Sequence, residues 1–292
     1  MSKKSIHFII NPTSGTGKQF EIEKKISKYI DSSQFEPNIH YTKHRGHAIE
    51  IARDLVAKNA HLIIAVGGDG TVNEIAQTMV NSSSVLGIIP TGSGNGLARH
   101  LKIPQNVSRA LELLNTQKSK EIDSCTANNE FFMNVSGVGY DAHIAHCFAK
   151  EPKRGLQTYL KLILSKWWSY SFESYQITSN GLVVFDGQAA QISFANTAQF
   201  GNNVVISPNS VIDDGEIELC IVKPFRFYEV PFLLVALAAR RLHRSNKMEL
   251  IKCSSAIITC SNTKVHLDGE PREFEQTIDL KVLPKSIRII SA

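Results

Sequence analysis

The feature that most constrains this chain is an apolar run that ends in three closely spaced glycines. Residues 61–66 (His-Leu-Ile-Ile-Ala-Val) lead directly into residues 67–71 (Gly-Gly-Asp-Gly-Thr). A short β-branched run bounded by glycines predicts a buried strand followed by a tight loop. Glycine permits positive φ and lets a ligand approach the bare main chain. Thr71 then opens a helical pattern, so the segment predicts a site for phosphate oxygens at a helix start.

The helix start also has a purely structural interpretation. Thr71 and Glu74 match a Ser/Thr-x-x-Glu capping box, which accounts for both residues. The capping box does not account for three glycines around Asp69. A carboxylate at a phosphate site repels the ligand unless it holds Mg²⁺, directly or through water, and the metal bridges to the phosphates. Asp69 is therefore a candidate magnesium ligand.

Two further glycine loops follow predicted strands. Residues 11–18 (Asn-Pro-Thr-Ser-Gly-Thr-Gly-Lys) follow the first strand, but Pro12 and Gln19 break the Walker pattern and exclude a P-loop NTPase. This loop is either a plain strand-to-helix turn or a loop that lines a nucleotide. Residues 90–96 (Pro-Thr-Gly-Ser-Gly-Asn-Gly) follow another strand, and Leu97 breaks the dinucleotide fingerprint. Loops after successive parallel strands meet at one edge of the sheet, where open α/β sheets bind ligands.

Two acidic turns lie in the second half of the chain. Residues 267–271 (Leu-Asp-Gly-Glu-Pro) form either a solvated hairpin turn or the site of a general base that accepts a hydroxyl proton during phosphoryl transfer. Residues 212–216 (Ile-Asp-Asp-Gly-Glu) could bind Mg²⁺ or Ca²⁺ through carboxylates and backbone carbonyls. A plain Asp-Gly turn explains the second sequence equally well.

The pattern of apolar residues predicts two domains. Strands and helices alternate over residues 1–122, which predicts an α/β domain with a mostly parallel sheet. Short alternating runs over residues 123–292 predict an antiparallel β-sandwich domain, and the final segment could return to the first domain. The predicted strands of the second domain include residues 131–135, 277–283 and 286–290. The pairs Asn128-Asn129, Asn180-Gly181, Asp186-Gly187 and Asp214-Gly215 are predicted turns.

Composition places the chain among globular proteins. Hydrophobic residues make up 42% of the sequence, which is enough for a full core. The net charge of +5 gives no indication of a nucleic-acid partner. The five cysteines show no metal-binding spacing and are typical of reduced thiols in a cytoplasmic protein. The apolar residues 230–239 are too few for a membrane span, which needs about 20 residues.

The ordered motifs together resemble the bacterial diacylglycerol kinase family, lipid kinases related to sphingosine and ceramide kinases. The resemblance extends over nearly the whole chain and rests on residues 11–15, 67–74, 90–95, 134–141 (Asn-Val-Ser-Gly-Val-Gly-Tyr-Asp), 213–215 and 268–270. It implies an ATP- and Mg²⁺-dependent kinase that phosphorylates a lipid hydroxyl, with ATP and lipid meeting between an α/β domain and a β-sandwich domain.

The resemblance also implies roles for individual residues. The implied ATP contacts are Asn11, Pro12, Thr13, Ser14, Gly15, Thr42, Gly67, Gly68, Asp69, Gly70, Thr71, Val72, Asn73 and Thr91. Asp69 would help to place Mg²⁺ and the phosphates. Asp268 or Glu270 would be the catalytic base, and we favour Glu270. Asp214, with the backbone carbonyls of Val211 and Glu216, would match a structural Mg²⁺ site found in part of the family.

The acceptor and the partners stay open at this point. Many bacterial members have Asn-Asp-Phe in the third glycine loop, whereas this chain has Asn95-Gly96-Leu97-Ala98, which looks more like the sphingosine kinase version. A diacylglycerol-like and a sphingoid-like acceptor are therefore both open. The alternatives to a lipid kinase are NAD kinase-like phosphorylation of a soluble dinucleotide and a non-catalytic nucleotide- or lipid-binding regulator. A homodimer is one conceivable assembly, and no nucleic-acid partner is expected.

Two predicted helical insertions bear on contact with a membrane. Residues 156–170 and 227–244 combine apolar stretches with aromatic and basic residues near their ends. Such segments suit an element that lies in a membrane interface. Buried helices with charged ends explain the same composition. The first interpretation predicts transient contact of a cytoplasmic protein with the inner face of the membrane.

Overall fold

The computed structural model describes residues 3–12, 19–152, 156–202, 204–261 and 264–291. The chain divides into two compact units, one formed by Met1–Ser124 with Pro284–Ala292 and the other by Cys125–Leu283. The first elements in chain order are β1 (Lys4–Ile10), α1 (Gln19–Tyr29), β2 (Phe35–Tyr41), α2 (His47–Ala57), β3 (Leu62–Gly67), α3 (Asp69–Ala76), β4 (Val85–Pro90), α4 (Gly96–His100), α5 (Val107–Asn115) and β5 (Ser119–Ala127).

The remaining strands and helices follow in the same order. They are β6 (Glu130–Phe132), β7 (Val135–Gly139), α6 (Tyr140–Ala149), α7 (Leu156–Lys166), β8 (Glu173–Ser179), β9 (Leu182–Ala189), β10 (Gln191–Ala195), β11 (Ile217–Val222), α8 (Val230–Ala238), β12 (Met248–Cys253), β13 (Ser255–Cys260), β14 (Lys264–Leu267), β15 (Glu270–Glu273) and β16 (Thr277–Ile290). Short 3-10 turns lie at Trp167–Ser169, Phe227–Glu229 and Leu242–Arg244.

The first unit has a parallel sheet, as the alternating pattern predicts. Its strand order is β2-β1-β3-β4, followed by the C-terminal part of β16, and each of these neighbours pairs in parallel. All residues of β3 and β4 are buried, which is typical of strands covered on both faces. The predicted α/β class of the N-terminal part is confirmed.

Helix α5 shows how local sequence sets an element of the first unit. The Asn106 side chain accepts hydrogen bonds from the backbone N–H of Ser108 and Arg109, so it satisfies two donors at the helix start. Ala110, Leu111 and Leu114 recur at helical spacing and are buried. The helix predicted from this pattern has the same bounds in the structure.

The second unit is an antiparallel sandwich of two sheets. One sheet has the order β12-β11-β10-β7-β14-β15, and the other joins β9, β8, β13 and the first part of β16. Buried side chains of both sheets form one apolar cluster, for example Phe194 and Leu219 from the first sheet and Ile177 and Ile258 from the second. The predicted antiparallel class of the C-terminal part is confirmed.

Three local predictions in the C-terminal half of the chain are wrong, and each has a physical reason. Residues 131–135 belong to two strands, β6 and β7, because the N–H groups of Met133 and Asn134 donate to the carboxylate of Asp268. Asp186 and Gly187 lie inside β9 rather than in a turn, because they pair with residues of β8. Residues 277–283 and 286–290 belong to the single strand β16, which continues through Pro284.

Within the described part of the chain, none of the helices has the length and hydrophobicity that crossing a bilayer requires.

Candidate active site

The second and third glycine loops lie side by side in the first unit. They follow β3 and β4, whose last residues, Gly67 and Pro90, are paired, and Thr91 N donates to Gly67 O at 2.9 Å. A Cβ placed on Gly92 would lie 2.5 Å from Gly68 Cα. The two loops therefore contact each other backbone to backbone, and this contact requires glycine. The predicted convergence of these two loops at the carboxyl edge of the sheet is confirmed.

Asp69 joins the two glycine loops. Its Oδ1 accepts a hydrogen bond from Gly96 N at 2.7 Å, and a Cβ on Gly94 would lie 2.8 Å from its Oδ2. Burial raises the pKa of Asp69, and hydrogen bonds from backbone N–H groups, that of Gly96 foremost, oppose this shift. Asp69 therefore holds the third loop against the second, in addition to any role toward a metal.

The capping box predicted for α3 is wrong. The helix begins at Asp69, its N-cap residue is Gly68, and it ends at Ala76. Thr71 Oγ1 instead accepts a hydrogen bond from Asn11 Nδ2 at 3.2 Å, and Glu74 Oε1 accepts one from Gly46 N at 3.1 Å. Both side chains bind neighbouring loops, because these tertiary partners compete with the local cap.

The described residues of the predicted nucleotide site lie at one edge of the sheet. Asn11 N donates to Val66 O at 3.0 Å, and Thr42 N donates to Ile10 O at 2.9 Å, so both residues follow the carboxyl ends of their strands. Gly67–Asn73, Thr91 and Pro12 belong to the same set of strand ends and following turns. Thr13, Ser14 and Gly15 lie outside the described residues.

The start of α3 has the features that phosphate binding requires. Among the described residues, no side chain hydrogen-bonds to the first turn as an N-cap, and Gly68 is extended. A Cβ on Gly70 would meet no atom of the described residues within 4 Å, so the backbone there is open with respect to the part of the chain that the structure describes. Helix N-termini with uncapped N–H groups favour anions. The cradle therefore fits a phosphate group, while its contact with ATP stays a prediction.

The described side chains at this edge of the sheet could bind Mg²⁺ only together with phosphate groups as further ligands. The described residues contain no group of three or more His, Cys, Asp or Glu side chains that could hold a metal ion. Asp69 brings one carboxylate, whose Oδ1 already accepts the Gly96 N–H. Mg²⁺ commonly binds through one or two carboxylates, several waters and the substrate phosphates. The residues present fit that mode.

The second unit carries Asp268 and Glu270 on one hairpin. Asp268 (φ 49°) and Gly269 (φ 86°) connect β14 to β15, and Leu267 pairs with Glu270. Positive φ at both central residues is typical of a type I′ turn, which explains the Asp-Gly pair. The half-buried Glu270 is the first residue of β15.

Asp268 supports the hairpin through both carboxylate oxygens. Oδ1 accepts from Asn134 N at 2.9 Å and Oδ2 accepts from Met133 N at 3.0 Å. Asp268 N in turn donates to Ser136 Oγ at 3.1 Å. Both carboxylate oxygens of Asp268 are thus engaged by main-chain donors. Of the two predicted bases, Glu270 is therefore favoured.

The predicted structural Mg²⁺ site around Asp214 contains a competing cation. Asp214 Oδ2 lies 3.1 Å from Lys252 Nζ, and its Oδ1 accepts from Glu216 N at 3.1 Å. The hydrogen bond to Asp214 raises the pKa of Lys252. Val211 is 46% exposed. Because its side chain has no ligating atom, Val211 could bind a metal through its backbone carbonyl alone. The lysine supplies positive charge where the metal is predicted, so the donor set fits Mg²⁺ less well than the sequence indicates.

Sequence reasoning missed a buried polar group in the second unit. Asp141, Ser193 and His266 are buried side chains on α6, β10 and β14, and they are in hydrogen-bond contact. The motif at residues 134–141 included Asp141 without a role. A signal was present, since Ser193 and His266 are polar residues that have an apolar residue on each side in their strands.

Comparisons with known proteins agree with this architecture. Two family models match: the diacylglycerol kinase catalytic domain over residues 5–127, and the YegS C-terminal NAD kinase beta sandwich-like domain over residues 134–291, which is more than half of the chain. The diacylglycerol kinase of Bacillus subtilis (strain 168) is 28% identical over 288 residues, which cover 93% of each chain.

Solved structures share the fold. A diacylglycerol kinase from Bacillus anthracis str. Sterne matches with a TM-score of 0.74 at 22% identity, over 100% of this chain and 98% of that chain. An NAD kinase from Archaeoglobus fulgidus, solved in complex with ATP, matches with a TM-score of 0.54 at 12% identity, over 98% of this chain and 93% of that chain. The family models and the curated relative together show that the chain belongs to the diacylglycerol kinase and YegS-like family of lipid kinases and is a phosphotransferase of that kind.

Proposed function

We propose that this lipid kinase transfers the γ-phosphoryl group of ATP, with Mg²⁺, to the hydroxyl of a diacylglycerol-like or sphingoid-like lipid at a membrane surface. The observation that carries the proposal is the edge of the first unit, where Gly68 and Gly92 are in contact and no described residue would meet a Cβ on Gly70. The NAD kinase solved with ATP, which shares the fold, supports a nucleotide in a protein of this architecture.

At this edge, the N-terminus of α3 would hold phosphate oxygens. The N–H groups of Gly70 and Thr71 lie in its first turn, and the helix dipole favours negative charge there. Asn11, Thr42 and Thr91 border the same strand ends, and Thr13, Ser14 and Gly15 stay predicted contacts. Bound Mg²⁺, held by Asp69 and the phosphates, would neutralise the charge that develops during transfer.

Glu270 would accept the proton of the lipid hydroxyl as the bond to phosphorus forms. Asp268 fixes the turn that carries Glu270, since both of its oxygens bind the main chain of residues 133–134. General-base removal of a proton typically contributes about 10²–10⁴-fold to a rate. In this proposal, the Asp268 carboxylate fixes the turn and the Glu270 carboxylate accepts the proton.

The second unit has an apolar surface that suits a lipid bilayer. None of the residues of α8 is fully buried, although its sequence, Val-Pro-Phe-Leu-Leu-Val-Ala-Leu-Ala, is apolar on every side. The helix is partly buried, because Leu233, Ala236 and Leu237 pack against a buried cluster of the second unit, and most of its other residues are exposed. An apolar helix of nine residues is too short to span a membrane and suits insertion into its interface.

Aromatic contacts join the end of α7 to this surface. Trp168 is 73% exposed, and its ring lies 4.4 Å from that of Phe227, while Phe232 on α8 is 75% exposed. We call the exposed residues Trp168, Phe227, Tyr228, Phe232, Leu234 and Val235 the apolar surface. Arg240 and Arg241 follow α8 and are exposed, so they can contact anionic headgroups.

Replacing Trp168 and Phe232 together by Ser is expected to weaken binding to anionic phospholipid vesicles at least about tenfold, because each side chain contributes about 1.5–3 kcal/mol when it leaves water. Vesicle sedimentation measures this change. The control is Leu182→Ser, since Leu182 is 69% exposed on β9, outside the apolar surface, and should leave binding unchanged. Equal binding by the double variant and the wild type would contradict the membrane role.

Transfer of label from [γ-³²P]ATP to a panel of acceptors tests the proposed reaction. The panel contains diacylglycerol in vesicles, a sphingoid base in vesicles, and NAD in solution. We expect magnesium-dependent labelling of one of the two lipids and none of NAD. Labelling of NAD alone would favour the dinucleotide-kinase alternative, and labelling of no acceptor with ATP bound would favour a regulator.

A further inference from the structure

A row of three residues crosses the larger sheet of the second unit. Ser193 on β10 and His266 on β14 both lie directly opposite Gly137 on β7. Directly paired residues of antiparallel strands point to the same face. Their neighbours Ile192, Val138 and Val265 belong to the apolar core cluster. The row therefore lies on the face of the sheet that points away from the sandwich core.

Asp141 of α6 occupies the space above the glycine of this row. A Cβ on Gly137 would lie 2.9 Å from Asp141 Oδ2, so the carboxylate fits only because residue 137 has no side chain. Oδ2 accepts a hydrogen bond from Ser193 Oγ at 3.2 Å and lies 3.2 Å from His266 Nε2. Oδ1 accepts from Ala142 N at 2.8 Å. This buried carboxylate is thus bound on three sides.

The hydrogen bonds of His266 define its tautomer. Gly269 N can only donate, and it lies 3.2 Å from His266 Nδ1, so Nδ1 accepts. The ring proton is then on Nε2, where it is donated to Asp141 Oδ2. The resulting chain runs from Ser193 through Asp141 and His266 to the main chain of the β14–β15 turn.

Helix α6 contacts the same hairpin at a second point. His146 Nε2 lies 3.1 Å from Val265 O and 3.0 Å from Arg272 O, one carbonyl on each strand, and both carbonyls can only accept its proton. The hairpin that bears Glu270 is therefore held by α6 at its turn, through Asp141 and His266, and again along its strands.

We propose that Asp141 and His266 are positioning residues, which fix the Asp268–Gly269 turn so that Glu270 points correctly during phosphoryl transfer. This inference rests on the proposed role of Glu270. Misplacement of a reacting group by about 1 Å can cost about 10²-fold in rate. The connection runs through the single N–H of Gly269, one residue before Glu270.

Two substitutions of His266 separate positioning from simple packing. Asn places its Oδ1 near the position of Nδ1, so His266→Asn keeps an acceptor for Gly269 N–H. Gln reaches toward the position of Nε2, so His266→Gln keeps the contact with Asp141 and loses that acceptor. We expect His266→Gln to lower kcat about 30-fold with KM for ATP changed less than about twofold, and His266→Asn to retain kcat within about fivefold.

Asp141→Asn provides a second, isosteric variant in case His266→Gln does not fold. When its amide nitrogen faces His266 Nε2, the ring proton moves to Nδ1, which can then no longer accept the Gly269 N–H, so we expect a loss of kcat like that of His266→Gln. His143→Gln on the same helix is the control and should keep wild-type kcat, because His143 contacts Tyr140, Cys147 and Tyr170 and interacts with the hairpin through the charge of Lys264, at the end opposite to Glu270.

A double-mutant cycle with Glu270→Gln tests whether the effect acts through Glu270. In that background, His266→Gln should lower kcat less than about twofold further. Wild-type kcat in folded His266→Gln and Asp141→Asn, or an undiminished effect of His266→Gln in the Glu270→Gln background, would overturn the inference. A different result, wild-type kcat in Glu270→Gln alone, would contradict the proposed role of Glu270 as the base.

Discussion

Replacement of Asp69 by Ala is expected to abolish phosphoryl transfer, with kcat at least about 10³-fold below the wild-type value. In our proposal, this variant lacks the carboxylate that helps to hold Mg²⁺ beside the phosphates. Stabilisation of charge by a bound metal ion contributes several kcal/mol to a transition state. Initial rates of lipid phosphorylation at saturating ATP and Mg²⁺ measure this effect.

Asp69 also has a structural task, which a second variant isolates. Oδ1 accepts the Gly96 N–H, and an Asn at this position can keep that bond through its own Oδ1. Because the N–H groups of Asn95 and Leu97 also bind this carboxylate, Asp69→Asn should lose some stability, but less than Asp69→Ala, which should lose about 1–3 kcal/mol; both variants should lack activity.

The surface variant Asp54→Asn on α2 is the control for a change of charge in the same unit. It should be fully active, because Asp54 forms an exposed ion pair with Lys58, and such pairs contribute little. Normal turnover in Asp69→Asn would contradict the proposed role of Asp69 in holding the metal. Its remaining role would be to hold the third glycine loop against the second.

Glu270→Gln is expected to lower kcat by about 10²–10⁴-fold while the affinity for ATP stays nearly constant, because a general base acts only in the transition state. Single-turnover rates and a direct ATP titration separate the two quantities. Glu273→Gln is the matched control, since Glu273 is an exposed acid at the end of the same strand.

Asp268→Asn should behave differently from Glu270→Gln. Its amide cannot accept the N–H groups of both Met133 and Asn134, so the main loss is stability, about 1.5–3 kcal/mol for each charged bond removed. A chemical denaturation curve measures it. A loss of kcat without loss of stability in Asp268→Asn, together with normal kcat in Glu270→Gln, would reassign the base to Asp268.

The parts of the site that follow strands could be predicted from the sequence. The apolar run before Gly67 is a completely buried strand, and the loop after it meets the loop after Pro90 because parallel neighbours end together. The spacing of the glycines indicated a ligand, but it also has a structural cause. The contact between Gly68 and Gly92 requires glycine whether or not a ligand is present.

Tertiary partners explain what the sequence could not predict. Thr71 and Glu74 have the spacing of a capping box, yet each binds a loop that lies more than 25 residues away in the chain. Likewise, Asp141, Ser193 and His266 come from three different elements, and no local pattern joins them. The exposure of α8 could not be predicted either, because an apolar helix has the same sequence pattern whether it faces a protein core or a membrane.

The most direct test of the account is transfer of labelled phosphate from [γ-³²P]ATP to a lipid in vesicles, measured side by side for the wild type and Asp69→Asn. The account predicts magnesium-dependent label in the lipid fraction for the wild type and none for the variant. Label in the lipid fraction at equal rates for both proteins, or label in NAD with none in lipid, would contradict it.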